Sequence, residues 1–242
     1  MSSARFLASL VTVLALALVW VAPRAEADCA VPGWAAHSLT TLSAPFPRTG
    51  ASIVVAKEPV TASGGQPNTD LPALSVTRGR RTSWPLAGNA IAPGLYRVPF
   101  DAHVTRGIWM LHGLGPDATL TIGLSALPGV PVRPAVRDVR RVAATGIGRA
   151  GAQRIEVRAN LEFPVPDGVI ASIVTWNTDA TAAAWAHAAV GQREIVLYTE
   201  PGRCGGAPPG WTAPPDGTLI ARVAWVDQFG QVSPVSDAIT VQ

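Results

Sequence analysis

The chain has 242 residues, 48% hydrophobic and 14% charged, with 19 Lys or Arg against 16 Asp or Glu and a net charge of +3. Such a chain is too apolar for intrinsic disorder, and so small an excess of base excludes a charge-built nucleic-acid surface. Its 23 glycines and 22 prolines exclude long helices and require many short elements joined by turns.

Arg5 precedes an uncharged apolar run over residues 6–22, followed by Pro23 and the small-x-small triplet Ala25, Glu26, Ala27. That order predicts a secretory signal peptide, residues 1–27, cleaved after Ala27. No later apolar stretch is long enough to span a bilayer, so the expectation is an exported chain with no stable membrane span after cleavage. Its compartment is then periplasmic, cell-surface or extracellular. Cys29 and Cys204 are the two cysteines, both beyond the cleavage point. An even count in an oxidising compartment predicts one disulfide. The bridge would close a loop of about 175 residues, for which the chain-entropy model gives roughly 5 kcal/mol. With no CxxC and no neighbouring histidine, the pair does not make a zinc site.

Strand patterns dominate the remainder. Residues 53–55, 74–76 and 108–111 read as short strands, and residues 118–127 alternate, with Leu120, Ile122, Leu124 and Ala126 on one face. The cleanest alternation is at residues 154–161, where Ile155, Val157, Ala159 and Leu161 oppose Arg154, Glu156, Arg158 and Asn160. Period two with charge on one side predicts an antiparallel strand with one face in the core and one in water. Residues 169–176, 194–199 and 219–226 complete the strand set, with Trp176 and Trp225 expected in the core. Turn chemistry separates them, as in Pro93-Gly94, Gly115-Pro116-Asp117 and Pro166-Asp167-Gly168. One stretch reads as helical: the alanine-rich residues 179–190, opened by Asp179 as a cap and closed by Gly191. The three prolines at 128, 131 and 134 mark a stiff seam between two halves.

The C-terminal residues Val226, Asp227, Gly230, Ser233 and Ser236 form a V-D-x-x-G-x-x-S-x-x-S phrase. It resembles the closing hairpin of fibronectin type III and related immunoglobulin-like domains, with Asp227 and Gly230 suited to a tight turn. The resemblance covers about twenty residues and implies a sandwich fold, not a chemistry. Ala221 stands where that family commonly has its corner tyrosine, and no cysteine pair spans the sheets of either half. The resulting fold class is all-β: two tandem immunoglobulin/fibronectin-like β-sandwich domains after a cleaved signal peptide. The expected domains are 28–129 and 130–242, with one short helix near 180–190.

Catalytic signals are sparse. Residues 109–115 resemble the strand-to-oxyanion-loop phrase of α/β-hydrolases at His112-Gly113, but no G-x-S-x-G elbow accompanies it. The histidines at 37, 103, 112 and 187 are widely spaced, with no HExxH and no acidic calcium loop. No catalytic, metal-binding or cofactor-binding residue is assigned, and no cofactor is expected. Arg133, Arg137, Arg140, Arg141, Arg149, Arg154 and Arg158 form a basic stretch, read as a solvated strand face interrupted by Asp138 and Glu156. Trp84 and Trp211, beside proline- or glycine-rich turns, are candidates for stacking on a sugar ring. The sequence reads as a non-catalytic exported protein of the bacterial cell envelope, acting as a binding, adhesion or spacer module on an unidentified envelope protein or polysaccharide. A carbohydrate-binding module using Trp84 and Trp211 is the alternative, and an unrecognised hydrolase a more distant one.

Overall fold

Four antiparallel sheets arise from short strands whose two faces are dictated by what each must cover. The computed structural model describes residues 33–60, 71–79, 83–145, 153–179, 181–200 and 211–242, all within the compact unit Val31–Gln242. Residues 1–27, Cys29 and Cys204 lie outside the described residues. In chain order the strands are Gly33–Ser38 (β1), Ser52–Val60 (β2), Leu74–Thr77 (β3), Ser83–Leu86 (β4), Asn89–Ala92 (β5), Leu95–Pro99 (β6), Gly107–His112 (β7) and Ala118–Ile122 (β8). They continue with Val136–Thr145 (β9), Gln153–Leu161 (β10), Val169–Trp176 (β11), Ala184–His187 (β12), Glu194–Thr199 (β13), Ile220–Asp227 (β14) and Ile239–Thr240 (β15).

The sheets are β1-β2-β6-β5, β4-β3-β7-β8, β13-β10-β9 and β12-β11-β14-β15. The first two enclose one core, with Ile53, Val55 and Val98 facing Leu74, Val76, Trp109, Leu111 and Leu120. The last two enclose a second, with Val139, Val157, Ala159 and Ile195 facing Val174, Trp176, Val223 and Trp225. Trp176 and Trp225 are therefore core residues, as their strand patterns require.

A third core joins the two sheet pairs. Val54, Ala56, Ala92 and Leu95 on the outer face of β2, β5 and β6 meet Ala171, Ile173, Trp185, Ala224 and Val226 on the outer face of β11, β12 and β14. This explains why β2, β11 and β14 lack polar alternation: both of their faces are covered, a pattern otherwise typical of parallel sheets.

The expected helix near 180–190 is a strand instead. Ala184–His187 pairs antiparallel with β11, from Val174↔Ala184 to Ala171↔His187. The alanine run has helical propensity of only tenths of a kcal/mol per residue, whereas the strand places Ala184 in the second core and Trp185 in the third. Tertiary burial of the indole decides. Asp179 does act as a cap, but of a turn: its carboxylate accepts the Thr181 amide at 2.8 Å. Gly191, with φ of +83°, closes the segment in a turn.

Two alternating patterns also end sooner than expected. The strand from Ala118 stops at Ile122, and Leu124 is 62% exposed. There the chain leaves β7 and bonds to residues 46–48: Gly123 donates to the Phe46 carbonyl (2.7 Å), and Arg48 to that of Ser125 (2.9 Å). On β10, Ile155 is 45% exposed although Val157, Ala159 and Leu161 are buried.

The Asp227–Gln231 turn docks on the first sheet pair. The Asp227 carboxylate accepts the amides of Phe229 (2.9 Å) and Gln231 (2.8 Å), which fixes the bend. Phe229 then enters the first core, edge-on to Phe46 at 6.3 Å. Two buried hydroxyls seal its entry: Thr40 donates to the Gln228 carbonyl (2.7 Å) and accepts the Val54 amide (2.8 Å), while Ser52 donates to the Phe229 carbonyl and accepts Arg97 Nε (3.1 Å). Beyond the turn, Ser233 and Ser236 bond back to β14. Their hydroxyls accept the amides of Trp225 (2.9 Å) and Val223 (3.0 Å), so side chains supply acceptors to β14 from a segment that is not itself a strand.

At the margin of the junction, Glu58 of β2 is shared by two imidazoles, His187 Nε2 of β12 at 2.5 Å and His37 Nε2 of β1 at 3.7 Å. The His187 hydrogen bond holds the Glu58 carboxyl below its ordinary value, and the same bond raises His187.

Two outcomes follow from this junction. Gly230 has φ of +69°, and a Cβ there would lie 2.7 Å from Arg97 Cγ. Gly230→Ala is expected to cost about 1–3 kcal/mol, read as a lower denaturant midpoint at unchanged slope; an unchanged midpoint would refute the docking of this turn. The second concerns pH. A raised His187 contributes stability at low pH that disappears as pH rises through its folded value, and a lowered Glu58 contributes stability that disappears as pH falls through its own. The Glu58–His187 contribution should therefore be greatest at about pH 4.5–6.5. Both groups are more than a third exposed, which limits it to about 1 kcal/mol or less. Thermal melts of wild type and His187→Gln should differ most in that window and converge by about pH 9; a pH-independent difference would show that the pair is not ionic.

Candidate functional site

The loops at one end of the first sheet pair surround an open cavity of about 720 Å³, lined among others by Arg48, Thr49, Phe100, Asp101, Arg106 and Leu124. Three connections build it: the entry to β2, the β6–β7 loop and the segment after β8. Each is held by backbone bonds. Residues 46–48 pair with residues 121–125 as described above, and the Phe100 amide donates to the Ala51 carbonyl at 2.9 Å.

The β6–β7 loop is further shaped by its own side chains. Asp101 Oδ1 accepts the His103 amide (3.0 Å) and contacts His103 Nδ1 (2.7 Å), an Asx turn that engages the carboxylate. The His103 side-chain bond lowers the Asp101 carboxyl from its ordinary value. Val104 is buried in the first core, and Phe100 packs edge-on to Phe46 at 5.4 Å. Arg78, the residue after β3, braces the loop: it donates to Thr105 Oγ1 (3.1 Å) and lies over the Trp109 ring, 5.6 Å from its centroid. Trp109 Nε1 in turn donates to the Thr105 carbonyl at 2.7 Å. Gly107, with φ of +138°, permits this approach, since a Cβ would lie 2.9 Å from Arg78 Nη2.

The groove is chemically asymmetric. Arg48 and Arg106 are both exposed, and neither guanidinium has a hydrogen-bond or ion-pair partner among the described residues. Most arginines elsewhere are committed. Arg133 pairs with Asp237, Arg140 with Asp138, and Arg158 with Glu156 and Glu194. Three of the seven arginines of the basic stretch, Arg133, Arg140 and Arg158, are thus paired with acids, while Arg149 lies outside the described residues. Reading the sequence missed Arg48 and Arg106 as a pair, because they are 58 residues apart and only the sheet pairing brings their loops to one end.

The tryptophans singled out from sequence occupy different cores. Trp84 is half-buried against the first, edge-on to Trp109 at 5.2 Å. Trp211 is half-buried against the second and third, 5.9 Å from Tyr198, with its Nε1 buried and unbonded among the described residues. His112 stands between Asp117 (Nδ1 to Oδ1, 2.7 Å) and Thr77 (Nε2 to Oγ1, 2.9 Å), on the outer face of β7. Gly113 after it has φ of +103°, and a Cβ would strike the Ala73 carbonyl at 2.5 Å. The glycine of the His-Gly phrase is thereby required by a close backbone approach. Among the described residues no group of His, Cys, Asp or Glu is arranged to hold a metal ion, and no helix is long and apolar enough to cross a membrane.

No family model matches the chain, and no curated protein is similar enough to count as a relative. Among solved structures it is similar to the human OSCAR ligand-binding domain, at 12% identity over 86% of this chain and 98% of that one, with a TM-score of 0.26. Nothing about ligand or activity follows from a likeness at that score. The antiparallel sheets of the chain themselves fit an immunoglobulin-like fold.

If Arg78 holds the β6–β7 loop, Arg78→Ala should cost about 0.5–1 kcal/mol and accelerate amide hydrogen exchange across residues 100–106 while leaving the centre of β7 protected. Unchanged exchange in the loop would remove Arg78 from this role.

Proposed function

We propose that the chain is an exported, non-catalytic protein of the bacterial cell envelope that acts as a binding, adhesion or spacer module. In this reading residues 1–27 are a cleaved signal peptide, and 28–129 and 130–242 are two tandem immunoglobulin/fibronectin-like β-sandwich domains. Cys29 and Cys204 pair after export, and the partner is a protein or polysaccharide of the envelope.

The single observation that carries the reading is the third core. It couples two sheet pairs through apolar faces and leaves the loop end of the first pair open. A body so joined holds a recognition surface at a fixed orientation, which suits binding or spacing. The Asp117–His112–Thr77 chain is weak support for an enzyme: its hydroxyl belongs to a strand threonine, and no cavity described opens on it.

Intact-mass analysis of the chain recovered from the envelope of an expressing bacterium tests the reading. The expected product begins at Asp28 and is lighter by two hydrogen atoms before reduction than after it. A full-length, cytoplasmic product with free thiols would exclude export and the bridge together. Turnover of generic esters that disappears in His112→Ala would exclude the non-catalytic part.

A further inference from the structure

We propose that the groove between Arg48 and Arg106 binds an extended acidic peptide segment of a partner protein, its carboxylate held by the two guanidinium groups and a neighbouring apolar side chain set against Leu124 and Phe100. This deepens the binding-module reading and rests on it.

Charge complementarity argues for the occupant. Arg48 and Arg106 have no partner among the described residues, and both line one cavity. A guanidinium presents a planar fork that matches a carboxylate in two parallel hydrogen bonds. The one acid lining the groove, Asp101, is engaged by the His103 amide and ring. Asp101 keeps its negative charge, so the two arginines leave the lining with a net charge of +1 and two guanidinium forks free to take a further carboxylate. The cavity, about 720 Å³, is of the size that accepts a few side chains.

The apolar part of the lining decides between anions. Leu124 is 62% exposed at the rim, an aliphatic surface beside cationic groups. An inorganic anion has no use for it, whereas a peptide that places an apolar residue near an acidic one would cover it. An acidic polysaccharide fits less well, because sugar rings favour an open aromatic face. The ring available here, Phe100, is half-buried and already packs on Phe46. Preorganisation completes the case. The walls are fixed by the Phe46–Ile122 bridge, the Asx turn at Asp101 and the Arg78 brace, so little loop ordering opposes binding.

Fluorescence anisotropy with the purified exported chain provides the test. The probe is a labelled peptide of alternating Glu and Leu, compared with its Gln/Leu counterpart and with labelled polygalacturonate. The Glu/Leu peptide should bind at least about tenfold more tightly than the other two. Arg48→Ala and Arg106→Ala should each weaken it about five- to tenfold, with Lys at either position restoring only part. Arg137→Ala, on the exposed face of β9, serves as a control and should leave binding unchanged. The proposal is overturned by absence of peptide binding, by equal binding of the Gln/Leu peptide or the polysaccharide, or by equal loss in Arg137→Ala. Such failures would leave the export and disulfide masses untouched, so the groove and the broader reading fall separately.

Discussion

The fold depends on three strands whose central residues have no solvent face. β2, β11 and β14 lie inside their sheets and are covered on both sides, by their own sandwich core on one and by the third core on the other. Each residue along them must be apolar or have its polar group satisfied, which is why Val54, Ala171, Ile173, Ala224 and Val226 are small or β-branched. Side chains of this size let two sheets approach at the spacing of a sandwich interior, about 10 Å. Trp185 is the exception in volume. It fills the centre from a short outer strand, which accounts for an alanine-rich segment forming a strand against its propensity.

Apolar contact alone does not set register between two such faces, since a flat surface of small side chains tolerates sliding. The junction gains its specificity from buried polar groups that are satisfied in one arrangement. Thr40 and Ser52 each bond to the backbone of the Asp227–Gln231 turn and to a second partner on their own side, so displacement of the turn would leave two buried hydroxyls unpaired. The turn is itself rigid, because both Asp227 oxygens are used: Oδ1 by two amides and Oδ2 by the Gln231 side chain at 2.9 Å. Gln231 Nε2 also donates to the Pro128 carbonyl at 3.0 Å, which ties the proline-rich seam to the same turn. The seam is thereby anchored rather than left as a free hinge.

Local chemistry was readable where it acts locally. The alternation at residues 154–161, the Pro-Gly turns and the Asp227/Gly230 bend all depend on neighbours within a few residues, and the sequence shows them directly. The resemblance at the C-terminus correctly located a tight turn, but its docking on the other sheet pair, through Phe229, is a tertiary fact that the phrase does not encode. The helix expected near 180–190 failed for the same reason, since nothing within that segment reports that Trp185 has a cavity to fill. Leu124 continued an alternating pattern on paper, yet its strand had already ended where residues 46–48 provided new backbone partners. Arg48 and Arg106 were invisible for a related cause: neither belongs to a cluster in sequence, and their loops converge only through the order β1-β2-β6-β5 against β4-β3-β7-β8.

The same distribution of constraint bears on where recognition can occur. Strand faces committed to the three cores cannot expose ligand-binding groups without losing apolar burial, and the junction leaves no independent hinge by which a cleft between the sheet pairs would open. Residues free to vary without such cost are those on outer faces, edges and loop ends. Of these, the outer face of β9 and β10 has part of its charge paired, Arg140 with Asp138 and Arg158 with two glutamates, while Arg137 stands exposed. The loop end of the first sheet pair differs in kind. Its backbone is held by its own hydrogen bonds, yet it carries two guanidinium groups without partners among the described residues and an exposed leucine. Exposed guanidinium groups are solvated by water and cost the fold little, so stability does not dictate where these two stand. It is at this rigid end that the proposed acidic segment would find its two guanidinium partners.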